Sequence, residues 1–173
     1  APLRGLKVVH VNSTKVGGGV AEILDRLVPI KRELGVDASW EVVKGDEEFY
    51  ECTKSFHNGL QGKPSTISDS LLRKYELTNE ENAEVLRPIL KDADIVFIHD
   101  PQPLPLLKFI SDDRKGKWIW RCHIDLSRPY RPTWKYLRNF AGQYDASIFS
   151  LSDFAQPLPH LQYIVPPSID PLS

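Results

Sequence analysis

Short apolar runs alternate with longer stretches of mixed polarity along this chain. Leu6 to Val11 (LKVVHV) predicts a strand, and the glycine-containing loop after it leads into a helical pattern from Val20 to Leu34. Within that helix Ile23, Leu24, Leu27 and Ile30 recur at helix spacing, with Glu22, Asp25, Arg26, Lys31 and Arg32 on the other face. Pro29 is expected to bend its middle and Gly35 to end it. Asp37 to Val43 (DASWEVV) predicts a second strand. Glu47 to Leu60 and Ser68 to Leu90 predict two helices, broken at Gly62 to Pro64. Two helices in one crossover are an insertion on a plain strand-helix-strand plan.

Ile95 to Ile98 (IVFI) predicts a buried strand that runs into His99 and Asp100, and Lys117 to Arg121 (KWIWR) another that runs into Cys122 and His123. A short helix is expected around Pro103 to Ile110, a longer one over Arg131 to Phe140, and strands over Ala146 to Leu151 and Tyr163 to Val165. Strands alternating with helical connections imply an α/β fold with a doubly wound, mostly parallel sheet. Ligands of such sheets sit at the carboxyl ends of the strands. The unusual residues here collect after Val11, Ile98 and Arg121, at three such ends.

Composition narrows the function classes. The 173 residues suit one domain, and a chain of this length buries about 70% of the surface exposed when unfolded. With 22 basic and 23 acidic residues the net charge is -1, which gives no general pull toward nucleic acid or an anionic membrane. Cys52 and Cys122 are far apart and form no CxxC pair, so a reducing, cytoplasmic setting is expected over a disulfide framework. No apolar run approaches the roughly 20 residues of a membrane span. The start, APLRGLKVVHVN, lacks the apolar centre of a signal peptide, and the absence of methionine suggests that residue 1 is not the native start.

Gly17, Gly18 and Gly19 precede Val20 at the start of a helix, where backbone N–H groups free of side chains can point at a phosphate. The same loop can equally be a turn that caps the helix. The dinucleotide fingerprint G-x-G-x-x-G would need glycine where Glu22 stands, and a carboxylate there would repel a pyrophosphate, although Glu41 lies at a fitting distance to hold a ribose.

In FIHDPQPLPL, Pro101 blocks continuation of the strand and holds Asp100 at the sheet edge, where its carboxylate can accept hydrogen bonds from sugar hydroxyls or cap the short helix that follows. Gln102 is a weaker neighbour. In WRCHIDLSRP, Arg121, His123 and Asp125 alternate, so an extended backbone would put all three on one side, able to bind sugar and phosphate together. His123 can instead be a core histidine, and Arg121 can instead pair with a carboxylate. His99, Asp100, His123 and Asp125 include metal-ligating types, but their adjacent pairing is unlike ligands spaced on one face. Cys52 and His57 look like a nucleophile and base, yet helical spacing sets them about 140° apart. Lys54, His57 and Asn58 offer polar reach from the inserted helix, or else belong to a solvated face. Tyr130 and Trp134 either pack under the histidine motif or line a pocket.

At the glycine loop a resemblance becomes specific. VNSTKVGGGVAEIL, FYECTKSFHNGLQG, FIHDPQPLPL, WRCHIDLSRP and PPSIDPLS, in this order, resemble trehalose glycosyltransferring synthases and related retaining GT-B glycosyltransferases. The resemblance covers nearly the whole chain. It implies a Rossmann-like acceptor-binding domain over residues 1–165, an interdomain linker beginning at 166–173, and a donor-binding C-terminal domain beyond the chain. It also implies transfer of glucose from a nucleotide diphosphate-glucose to glucose, forming trehalose, with no cofactor and no metal required. Carried over residue by residue, Gly17, Gly18 and Gly19 face the donor diphosphate, Asp100 the acceptor sugar and His123 the donor sugar; beside them the residues' own placement offers Arg121, Gln102, Asp125, Lys54 and Asn58 as further sugar-binding residues. The Glu-x7-Glu motif of such enzymes belongs to the missing domain, and its spacing here at Glu33/Glu41 and Glu76/Glu84 reads as chance. Expected partners are the nucleotide sugar, glucose, the C-terminal domain and a possible second copy. Competing readings are a stand-alone sugar-binding or self-associating module and an NAD-type dinucleotide-binding domain.

Overall fold

A computed structural model describes residues 3–167. Six strands form one sheet: β1 Lys7–Asn12, β2 Asp37–Val42, β3 Ile95–His99, β4 Lys117–Arg121, β5 Ala146–Phe149 and β6 Leu161–Ile164. Their order is β2-β1-β3-β4-β5-β6, and every pairing is parallel. The chain therefore turns back between β1 and β3, and a crevice opens at the carboxyl ends of those two strands. The expected mostly parallel sheet is wholly parallel among the described residues.

Five helices connect the strands: α1 Gly19–Glu33, α2 Glu47–Leu60, α3 Asp69–Leu90, α4 Leu106–Ile110 and α5 Arg131–Ala141. The ends of α2 and α3 carry side-chain caps, Asp46 accepting from the Phe49 N–H at 3.1 Å and Ser68 from the Leu71 N–H at 3.3 Å. Gly35, at φ 85°, closes α1 while Val36 N–H reaches back to the Lys31 carbonyl at 3.0 Å. Pro29 is carried inside α1 rather than ending it.

The apolar stripe of α1 differs from the expected one. Ala21, Leu24 and Val28 are buried, whereas Ile23 is 36% and Ile30 51% exposed. Ala21 is too small and too weakly apolar to stand out in a hydropathy reading. On the face under α1, Val8, Val28, Val36 and Ala38 form a small core. The opposite face, under α2 to α5, carries the large core built on Trp118, Trp120, Tyr75 and Phe149. Trp134 stacks on Trp120 with ring centroids 6.3 Å apart, so it packs beneath the histidine motif. Tyr130 precedes α5 and ties it to α2, its N–H donating to the Gly59 carbonyl at 2.8 Å.

Toward the last strands the boundaries move. β5 ends at Phe149, and Ser152–Phe154 forms an unexpected 3-10 turn. β6 begins at Leu161 rather than Tyr163 and leaves Leu161, Tyr163 and Ile164 exposed at the sheet edge. No described helix is long and apolar enough to cross a membrane.

Candidate active site

A cleft of about 610 Å³ lies over the carboxyl ends of β1, β3 and β4. Four stretches far apart in sequence meet in it: the Gly17 to Gly19 loop, Asp100 with Gln102, His123 with Asp125, and His57 of α2 with Gln61 just beyond that helix. The parallel register produces this meeting, since His99 lies beside Arg121 and Val11 beside Ile98.

The glycine loop has two separate reasons for its residues. Gly17 (φ 73°) and Gly18 (φ 90°) occupy a backbone region that side chains resist, although a Cβ at either would meet nothing within 4 Å. Gly19 has an ordinary φ and equally open surroundings. Helix α1 starts there with no side-chain cap, so the N–H groups of its first turn are left to the cleft.

Asp100 sits at φ 62°, the one non-glycine residue with positive φ among those described. Three bonds hold it there. Its N–H donates to the Arg121 carbonyl at 3.0 Å, its carbonyl accepts from Trp120 Nε1 at 3.0 Å, and Oδ1 accepts the His123 N–H at 2.7 Å. Burial pushes its carboxyl up to about 7, against the pull of the His123 N–H and the Arg121 charge. Asp100 does not cap α4, whose N-terminus has no side-chain cap.

His123 is half-buried and lines the cleft, with Nε2 3.0 Å from His99 Nδ1. Burial first, and then the Arg121 charge, lowers it to about 4, so the ring is neutral near pH 7. Asp125 also faces the cleft and accepts the Ser127 N–H at 2.7 Å. Gln102 lines it too, its backbone carbonyl accepting from Asn79 Nδ2 at 3.1 Å.

Three expected site residues are placed differently. The Arg121 guanidinium turns along the sheet, donating from Nη2 to the Val165 carbonyl at 2.8 Å and to Ser150 Oγ at 3.2 Å. It reaches the cleft only through its charge. Lys54 is exposed and Asn58 half-buried, and neither lines the cleft. The C-terminal end of α2 presents His57 and Gln61 instead, an i,i+4 pair one turn beyond Lys54. Cys52 is fully buried with its thiol pushed up to about 12, which leaves His57 no nucleophile to activate. Among the described residues no group of histidine, cysteine and carboxylate side chains converges as metal ligands would.

Several cleft residues carried no signal in the hydropathy reading: Asn12, Ser13 and Thr14 at and just after the end of β1, and Ser150 and Phe154 after β5. The polar triplet directly behind an apolar strand was the available clue. The expected linker falls mostly outside the described residues, with only Pro166 and Pro167 within them.

A doubly wound domain with a glycine loop facing acidic and histidine strand ends across an open cleft has the form of one half of a GT-B glycosyltransferase. Solved structures share this fold. An α,α-trehalose-phosphate synthase (UDP-forming) from Burkholderia vietnamiensis superposes with TM-score 0.69 at 14% identity, over 96% of this chain and 50% of that one. Its counterpart from Burkholderia xenovorans, in complex with glucose-6-phosphate, gives 0.64 at 14% identity, over 84% and 40%. The family model for the trehalose synthase N-terminal domain matches residues 10–156, and the chain belongs to that family.

Trehalose synthase of Thermococcus litoralis is 48% identical over 174 residues, covering 99% of this chain and 41% of that protein. That of Rubrobacter xylanophilus is 44% identical over 177 residues, with 99% and 42% covered. A trehalose phosphorylase of Grifola frondosa is 32% identical over 160 residues, with 78% and 21% covered. The chain thus spans about two fifths of the trehalose synthases it matches. Glu76 pairs with Lys108 and accepts from the Tyr136 hydroxyl, and Glu84 pairs with Arg87.

Proposed function

We propose that this domain is the acceptor-binding half of a retaining glycosyltransferase that moves glucose from a nucleotide diphosphate-glucose to glucose, forming trehalose. The observation that carries the reading is the convergence of the Gly17 to Gly19 loop, Asp100 and His123 in one cleft. Asp100 has Oδ1 committed to the His123 N–H, which leaves Oδ2 to accept from a hydroxyl of the acceptor. His123 contacts the donor sugar, and Gln102 and Asp125 add polar contacts around it. The first-turn N–H groups of α1 face the diphosphate from one side and stabilise the charge it gains on leaving.

In this reading the acceptor hydroxyl attacks on the face from which the diphosphate departs. The new C–O bond forms as the old one breaks, and the hydroxyl proton passes to a leaving phosphate oxygen. Configuration is retained, and the reaction needs no cofactor or metal beyond the nucleotide sugar. The remaining partner is a C-terminal domain that holds the nucleobase and the donor ring. Both cysteines are free thiols, in keeping with a cytoplasmic setting.

Without that second half the 173 residues lack what fixes a near-attack geometry. The test is glucosyl transfer by the full-length protein, with His123→Ala expected to lower kcat/KM by about 10- to 1000-fold. The chain by itself is expected to bind glucose no tighter than about millimolar and to make no trehalose. Trehalose production by the isolated chain would overturn the half-enzyme reading. Loss of one limb of a bell-shaped pH profile in His123→Ala would make that residue an acid or base instead.

A further inference from the structure

Behind His123 lies a row of polar groups that crosses the sheet from α1. Lys31 Nζ is 2.8 Å from His10 Nε2, His10 Nδ1 is 2.9 Å from His99 Nε2, and His99 Nδ1 is 3.0 Å from His123 Nε2. The rings meet edge to edge and close to coplanar, with interplanar angles of 29° and 18°, as in-plane N–H···N bonds require. Phe97 stacks on His10 at 4.8 Å and supports Lys31 Nζ, which lies 4.6 Å from its ring centroid. His10 is 2% and His99 4% exposed. A half-buried lysine and two buried histidines thus end on a residue that lines the cleft.

We infer that Lys31, His10 and His99 are positioning residues that fix His123 as its Nδ1–H tautomer, so that it presents a hydrogen-bond donor to the cleft. An ammonium group can only donate, so His10 Nε2 must accept from Lys31. His10 then carries its proton on Nδ1 and donates to His99 Nε2. By the same step His99 donates from Nδ1 to His123 Nε2, and the one proton of neutral His123 is left on Nδ1. Reversing any one bond would set two acceptors or two donors face to face. Burial keeps all three rings neutral, and Lys31, lowered to about 8 by burial, still carries its charge at neutral pH. The other charges facing the row are Arg121, which further disfavours protonation of His99 and His123, and Asp100, which holds the His123 N–H.

A donor at this point selects an acceptor oxygen, such as a sugar hydroxyl or a phosphate oxygen. The inference concerns the tautomer and stands whether or not the chain serves glucosyl transfer; its kinetic consequence rests on the proposed function. Nitrogen-15 NMR of the histidine rings near pH 7 tests it directly. All three rings are expected as Nδ1–H tautomers in the unaltered chain. Lys31→Met is expected to let His123 populate the Nε2–H form at least several-fold more, and Lys31→Arg to restore the single tautomer. Should Lys31→Met fail to fold, His10→Phe keeps the stack on Phe97 and breaks the same row one link further on. A predominantly Nε2–H His123 in the unaltered chain, or one that keeps Nδ1–H in these variants, overturns the inference. In the full-length protein the loss is expected as roughly tenfold in kcat/KM. An unchanged rate alongside the tautomer shift would instead count against the donor-sugar role of His123.

Discussion

Lowering the pH should destabilise this chain steeply, and the histidine row sets how steeply. Burial first, then Lys31, brings His10 down to about 3, and burial first, then Arg121, brings His123 to about 4. Burial also holds His99 well below its ordinary 6.5. A histidine depressed on folding contributes stability above its unfolded value and loses it as pH falls toward the folded one. Between about pH 6.5 and 4 the unfolded chain therefore takes up three protons that the folded one refuses. Asp100 works in the other direction. Raised from 3.8 to about 7, its stability contribution is full below 3.8, is lost as pH rises through 7, and so returns on acidification.

Three protons against one leave a net uptake of two on unfolding. At about 1.4 kcal/mol per proton and pH unit, stability should fall by up to about 3 kcal/mol for each unit below pH 6.5. A domain stable by about 5–7 kcal/mol, the low end of the usual range, would be half unfolded near pH 4 to 5. His57 and His160, also lowered by burial, act in the same direction. Urea unfolding at about pH 7, 6 and 5 measures the slope, and His10→Phe should reduce it by about one proton's worth. Stability that is flat or rising from pH 7 to 5 would refute the argument, because the rings would then be charged or solvated in the folded state.

Other outcomes can be checked with the same material. Asp100→Asn keeps an oxygen for the His123 N–H and suits positive φ, so it should fold normally and be more stable than the unaltered chain above pH 7, while turnover of the full-length protein falls; lower stability at pH 8 in denaturant unfolding would contradict this. Gly19→Ala meets no atom within 4 Å and removes a helix penalty, so the melting temperature should hold or rise while a methyl group obstructs the N–H groups and slows transfer; unchanged kinetics would make the loop only a turn. Gly18→Val faces both that obstruction and a φ of 90°, and should lose about 1–3 kcal/mol of stability as well, measured by urea. Cys52 and Cys122, buried with raised thiols, should resist a thiol reagent at pH 8 and react together once the chain unfolds.

Periodicity in the sequence was enough to place the strands and helices, since a strand such as IVFI or a helix such as Ser68 to Leu90 is written by local contrasts of polar and apolar residues. The ends of β3 and β4 were legible too, because Asp100 before Pro101 and His123 after WIWR break an apolar run abruptly. What the sequence could not decide was which side chains meet. Arg121, His123 and Asp125 alternate in the sequence, yet the Arg121 guanidinium donates to Val165 and Ser150 while the other two line the cleft. The rotation and length of α2 brought His57 and Gln61 forward in place of Lys54 and Asn58. His10 looked like a polar interruption in LKVVHV. Only the parallel register, with β1 beside β3 and β3 beside β4, lines it up with His99 and His123, and only the packing of α1 over β1 brings Lys31 to the end of that row. Contacts among residues 89 and 24 positions apart depend on strand order, which no local pattern encodes.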